Sequence, residues 1–281
     1  MTTDSRTPQG SPGSHDSPGP HGSRPPRALS FDAAAGQYAA NRPSYPPSVL
    51  DAVRDVAGLP LAGARTADVG AGTGIATALL RERGADVLAV EPGAGMAAQL
   101  RRALPDVRLV RGDGNALPLA DGSRDLVTYA QSWHWTDPAR SVPEALRVLR
   151  PGGALALWRN TNADDVPWIA AQGDRVLRHC GADAVTGGHS MGAGRPADDA
   201  EAARLLGVAG LDWTRRQLPW RRTVTVDTHL ANLGSHSVFL VQDPERRRRF
   251  MAEERAHLAD VFPGGEVEEA YVVDLLVVRR P

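Results

Sequence analysis

The sequence contains no lysine. Its 32 basic residues are all arginine and face 33 acidic ones, for a formal net charge of −1. A chain so balanced is not a general binder of nucleic acid or other polyanions. Cysteine is nearly absent too. Cys180 alone excludes an internal disulfide framework and a cysteine-rich metal knuckle. The eight histidines show no metal-ligand spacing, and H-E-x-x-H does not occur. No apolar run approaches the roughly 18 residues of a membrane span, and the first thirty residues hold no apolar signal segment. The expected place is the cytoplasm, with no membrane and no nucleic acid as partner.

Residues 1–28 hold six prolines and four glycines and almost nothing to bury. Such a segment cannot offset its ordering entropy, so a disordered tail is expected. One domain is expected over 29–281, long enough for a core of its own. It divides into a helical cap (29–60), a ligand-binding core (61–160) and a part that covers the ligand and closes the sheet (161–281). In the cap, Phe31, Ala34, Ala35 and Tyr38 share one helical face. Val49, Leu50, Val53 and Val56 share another, ended by Gly58.

The core alternates. Short apolar strands are expected at Thr66–Val69, Val87–Val90, Val107–Val110, Leu126–Ala130 and Ala154–Trp158. Helices are expected at Ile75–Arg83 and Met96–Leu104. A third is expected to open on the capping-box spacing Ser141-Val142-Pro143-Glu144 and run to Leu149, with Arg150-Pro151-Gly152-Gly153 as a turn. Strands alternating with helices imply βαβ units and a parallel α/β sheet, whose ligands sit beyond the carboxyl ends of the strands. Further along, Pro167–Cys180 reads as a helix and Gly181–Asp199 as a loop or lid. Glu245–Asp260 reads as a charged surface helix that carries Arg246–Arg249 on its solvated face, and Ala270–Arg279 as a closing strand.

Asp68-Val69-Gly70-Ala71-Gly72-Thr73-Gly74 joins the first strand to the first core helix. Glycines there let the backbone turn sharply and approach a ligand. A dinucleotide fingerprint needs a third glycine where Ile75 stands, and no lysine follows to make a P-loop. Glu91, ending the second strand, can accept hydrogen bonds from two ribose hydroxyls, and its charge disfavours a 2′-phosphate. Asp113, after the third strand, can accept from an exocyclic amine such as that of adenine. Together these describe an adenosine-containing ligand without a second phosphate-binding element.

In this order the motifs resemble the class I S-adenosylmethionine-dependent methyltransferases, and within them a small-molecule group that includes trans-aconitate methyltransferase-like proteins. They are Phe31-Asp32-x-x-Ala35-x-x-Tyr38-x-x-x-Arg42-Pro43-x-Tyr45-Pro46, Asp68–Gly74, Val90-Glu91-Pro92-x-x-x-Met96, Gly112-Asp113-Gly114-Asn115-Ala116-Leu117-Pro118, Gln131-Ser132-Trp133-His134-Trp135 and Val148-Leu149-Arg150-Pro151-Gly152-Gly153. The resemblance implies a Rossmann-like three-layer sandwich with a helical cap. Its mostly parallel seven-stranded sheet would be ordered 3-2-1-4-5-7-6, with the last strand antiparallel.

The resemblance also implies S-adenosylmethionine as cofactor. Gly70, Ala71, Gly72 and Gly74 would approach its methionine part, and Asp68 its amino group. Glu91 and Pro92 would flank the ribose, Met96 the adenine face, and Asp113, Gly114, Asn115 and Ala116 the adenine edge. Ala130 and Gln131 would line the sulfonium side. For the acceptor, a small molecule methylated at oxygen, Tyr38, Arg42, Tyr45, Trp133 and Trp135 are candidate contacts. His134 is a candidate base, needed only where the acceptor must lose a proton. Two other readings stand beside this one: an NAD-linked oxidoreductase, against which Ile75 and Asp113 count, and a methyltransferase fold that binds cofactor without catalysis. Oligomeric state is not legible.

Overall fold

The computed structural model describes residues 41–181 and 211–281. The tail, the first cap helix with Tyr38, and the segment 182–210 lie outside the described residues.

The second cap helix is present as α1 (Ser48–Ala57), closed by Gly58 in the left-handed conformation. The core then follows the expected alternation: β1 (Arg65–Val69), α2 (Ile75–Glu82), β2 (Asp86–Val90), α3 (Ala94–Ala103), β3 (Arg108–Val110) and β4 (Arg124–Ala130). A 3-10 turn at Trp133–Trp135, α4 (Pro138–Val148) and β5 (Leu149–Asn162) come next. The C-terminal part holds α5 (Pro167–Cys180), β6 (Thr214–Thr225), α6 (Val226–Gly234), the short α7 (Ser237–Leu240), α8 (Pro244–Val261) and β7 (Glu266–Arg279).

The seven strands form one sheet ordered β3-β2-β1-β4-β5-β7-β6. β7 runs antiparallel to both of its neighbours, and the other pairings are parallel. Side chains alternate across the sheet with the period of two that a strand imposes. Ala154, Ala156 and Trp158 face α1 and α2, in one core with Val49, Leu50, Val53 and Leu80. Leu155 and Leu157 face α4, in a second core with Val142, Ala145 and Val148. A third cluster joins α5, α6, α7 and α8 through Val176, Leu233, Phe239, Phe250 and Leu258. The sheet is thus covered on both faces, with an added helical layer at its C-terminal side.

Two local expectations are corrected. α4 does not start at the Ser141 capping box. Asp137 caps it four residues earlier, its Oδ1 accepting the Ala139 N–H at 3.0 Å, with Pro138 at the first helical position. An Asp-Pro pair supplies both the side-chain cap and the fixed φ, which outcompetes the later signal. Ser141 lies inside the helix and bonds back to Asp137 O, while Glu144 accepts the Leu117 N–H instead. The Arg150–Gly153 turn, in turn, is absorbed into β5 as an irregularity. Arg124 pairs with Leu149, and Leu126 pairs with Ala154.

Candidate functional site

The turn from β1 to α2 is built around Gly70, whose φ is +67°. Ser132 packs against it, and its hydroxyl donates to Val69 O at 2.6 Å. A Cβ on residue 70 would stand 2.5 Å from Ser132 Cβ, so only glycine fits. The next turn of the loop is tied to β2. Glu91 Oε2 accepts the Gly72 N–H at 2.8 Å, and Oε1 accepts the Gly93 N–H at 2.7 Å. The hydroxyl of Thr73, at the tip of the loop, is buried with no hydrogen-bond partner among the described residues.

Asp68 sits beneath the loop, fully buried. It accepts from Thr77 Oγ1 at 2.6 Å and from Thr128 Oγ1 at 3.0 Å. Burial pushes its carboxyl above the usual range, and the two hydroxyls only partly offset this. It therefore pins α2 and β4 to β1.

Beyond β3, Asp113 Oδ1 accepts the Asn115 N–H at 2.9 Å, and Asn115 Oδ1 accepts the Asp137 N–H at 2.7 Å. Beyond β4, Gln131 has φ +57° and is the one non-glycine residue with positive φ among the described residues. That conformation costs about 1–2 kcal/mol for an L-residue. It is held by Gln131 Oε1, which accepts the Asn160 N–H at 2.8 Å. Asn160 also donates from Nδ2 to Ser44 O and accepts from Trp220 Nε1. Arg42 Nη1 lies 3.2 Å from His236 Nε2, and Tyr45 packs edge-on against Trp158. The cap residues are thereby fastened over the carboxyl ends of β4 and β5.

One cavity of about 530 Å3 lies beneath them. Of the residues expected from sequence, it brings together Arg42, Tyr45, Asp68, Gly70, Ala71, Gly72, Glu91, Pro92, Met96, Asp113, Gly114, Asn115, Ala130, Gln131, His134 and Trp135. Gly74, Ala116 and Trp133 do not line it. Gly74 backs onto Leu100 and Leu104, and the Ala116 N–H closes a turn on Asp113 O. Trp133 is core: 7% exposed, with its ring edge-on to Tyr129 at 4.8 Å. The sequence reading missed the C-terminal contribution, which is Gln172, His229, Asn232, Leu233, His236 and Tyr271. Arg159 and Asn160 were missed as well. Helical periodicity marks these helices but not which of their polar positions face inward.

The donor set suits a nucleoside with no phosphate. Glu91 and Asp113 are acceptors for hydroxyl and amino groups and would repel a phosphate, and the glycine loop brings the unsatisfied Thr73 hydroxyl. No group of His, Cys, Asp and Glu among the described residues could hold a metal ion. No helix among them is long and apolar enough to cross a membrane.

Comparison with known proteins agrees. Residues 67–157 match the family model described as a methyltransferase domain. An uncharacterized methyltransferase of Mycobacterium tuberculosis is 47% identical over 156 residues, which is 56% of this chain and 62% of that one. The malonyl-[acyl-carrier protein] O-methyltransferase of Dechloromonas aromatica is 35% identical over 166 residues, covering 57% and 58%. The chain thus spans less than two thirds of the length of either relative. A solved structure of a type II methyltransferase candidate from Anaeromyxobacter dehalogenans shares the fold, with a TM-score of 0.61 at 24% identity over 85% of this chain and 97% of that one. Residues 67–157 thus carry a methyltransferase domain, on a fold shared with that solved structure.

Proposed function

We propose that the protein transfers a methyl group from S-adenosylmethionine to an oxygen atom of a small organic acceptor. The observation that carries this reading is the convergence of the Gly70–Gly72 loop, Glu91 and Asp113 on the cavity that His134 and Trp135 also line. The malonyl-[acyl-carrier protein] O-methyltransferase among the relatives supports transfer to an oxygen atom.

When bound, S-adenosylmethionine supplies a methyl group already activated on a sulfonium, so the protein's task is alignment and exclusion of water. Each carboxylate oxygen of Glu91 has a second lone pair beyond its backbone N–H contact, and these would accept the ribose hydroxyls. Asp113 would accept the adenine amine, with Met96 and Pro92 against the ring. The strained Gln131 and neighbouring Ala130 would border the methyl group, and Tyr45, Arg42 and Trp135 the acceptor. Where the acceptor is a hydroxyl, His134 would take its proton as the oxygen gained the methyl group.

Calorimetric titration with S-adenosylmethionine, S-adenosylhomocysteine and NAD tests the reading. Micromolar binding of the first two and none of NAD is expected. Binding of NAD alone would overturn it.

A further inference from the structure

Part of the cavity wall comes from the chain beyond the methyltransferase match. Gln172 stands on α5, His229 and Asn232 on α6, and Tyr271 on β7. All are buried, and a chain of buried ion pairs stands behind them. Glu254 accepts from Gln172 Nε2 at 3.0 Å and from Arg175. Glu269 accepts from His229 Nδ1 at 2.7 Å and from Arg222 Nε at 2.5 Å. Burial works to raise the Glu269 carboxyl, but His229 and Arg222 overcome it and hold it ionised below the usual range. Each carboxylate thus has its own arginine, and neither arginine lines the cavity. This wall presents amide, imidazole and phenol groups to a ligand.

The orientation of one amide follows from the same network. Burial and the charge of the neighbouring Glu269 keep the Tyr271 hydroxyl protonated. Its phenol oxygen accepts from Asn232 Nδ2 at 3.3 Å. Asn232 Oδ1 is left over. Asn232 is 5% exposed, and Oδ1 has no hydrogen-bond partner among the described residues. A buried carbonyl oxygen at a cavity wall calls for a donor from the ligand.

We propose that this wall is the acceptor subsite, and that it selects an acceptor bearing, beside the hydroxyl that is methylated, a second hydroxyl whose O–H donates to Asn232 Oδ1. A carboxylate at the same place would set lone pairs against lone pairs, close to Glu269. The proposal rests on the methyl-transfer reading and narrows its acceptor from any oxygen acid to a compound bearing two hydroxyls.

Matched probes test it: catechol against salicylate, scored by S-adenosylhomocysteine release from the full chain. Catechol should react about tenfold faster than salicylate. Asn232→Leu should raise KM for catechol about tenfold, the scale of one hydrogen bond to a buried group, with kcat less affected. Calorimetry with S-adenosylhomocysteine should give the same Kd for wild type and variant, which establishes folding. Turnover of salicylate alone, of neither probe, or an unchanged KM in Asn232→Leu would overturn the subsite while cofactor binding stands. Failure of the wild type to bind S-adenosylhomocysteine would overturn the methyl-transfer reading itself.

Discussion

Glu91 Oε2 accepts the backbone N–H of Gly72 at 2.8 Å, so the acid at the end of β2 holds the glycine loop. Sequence assigns this carboxylate to a ribose; the structure gives it a second duty. The two duties reinforce each other, because the contact that fixes the loop also fixes the carboxylate. Glu91→Ala should weaken S-adenosylmethionine binding by roughly 1.5–3 kcal/mol, the scale for hydrogen bonds to a charged group. That is about 10- to 150-fold in Kd by titration calorimetry. An unchanged Kd would remove the ribose role.

Gly70→Ala should destabilise the fold itself. The left-handed φ costs about 1–2 kcal/mol for alanine, and the new methyl would meet Ser132 Cβ at 2.5 Å, an overlap worth about 1–3 kcal/mol more. Chemical denaturation should show a loss of about 2–5 kcal/mol. Adding Ser132→Gly should recover the overlap part and leave the backbone part. A double variant no more stable than the single would show that Ser132 is not the obstacle.

Asp125 fixes the opposite end of the sheet. It accepts from Arg65 N at 2.8 Å, Arg65 Nε at 3.0 Å and Arg150 Nε at 2.5 Å. The Arg65 hydrogen bonds hold its carboxyl well below the ordinary range, more strongly than burial raises it. A lowered pKa gives stability that is full above the unfolded value of about 4 and is lost as pH falls below it. Asp125→Asn should therefore cost about 1–2 kcal/mol at pH 7, the low end for charged hydrogen bonds because both arginines are half exposed. The cost should shrink in melts at pH 3. An equal loss at both values would mean the geometry matters and the charge does not.

His134→Ala separates chemistry from binding. With a hydroxyl acceptor, removal of a general base should lower kcat by about 10²- to 10⁴-fold. The Kd for S-adenosylhomocysteine should change little. A parallel fall in that affinity would reassign His134 to the cofactor side of the cavity.

The core half of the fold was legible because its signals are local. Thr66–Val69 and Val87–Val90 are apolar runs closed by Gly70 and Glu91, and each strand lies within a residue of its expectation. The sheet order came from the resemblance, since nothing in β6 or β7 alone says which strand lies outside. The acceptor wall was not legible, because it is made by long-range pairing. His229 meets Glu269 across 40 residues and Gln172 across 57, and each reads alone as an ordinary polar helix or strand position. The Ser141 capping box misled for a local reason: its spacing was right, but Asp137-Pro138 starts the helix first.

Trp133 and Trp135 show the limit of a motif most clearly. Both were candidate acceptor contacts, and the 3-10 turn sends them different ways. Trp133 packs on Tyr129 in the sheet core, whereas Trp135 packs with Met96 and Leu240 at the cavity. Trp133→Ala should cost about 3–5 kcal/mol of stability, as for other buried tryptophans. Trp135→Ala should cost less than half as much in the same denaturation series but weaken ligand binding. The measurement is a pair of unfolding curves beside a pair of calorimetric titrations with S-adenosylhomocysteine. If Trp133→Ala melted like wild type yet lost affinity, the turn would have to face the other way in solution. His134, between the two rings, would then point into the core and could not serve as the base.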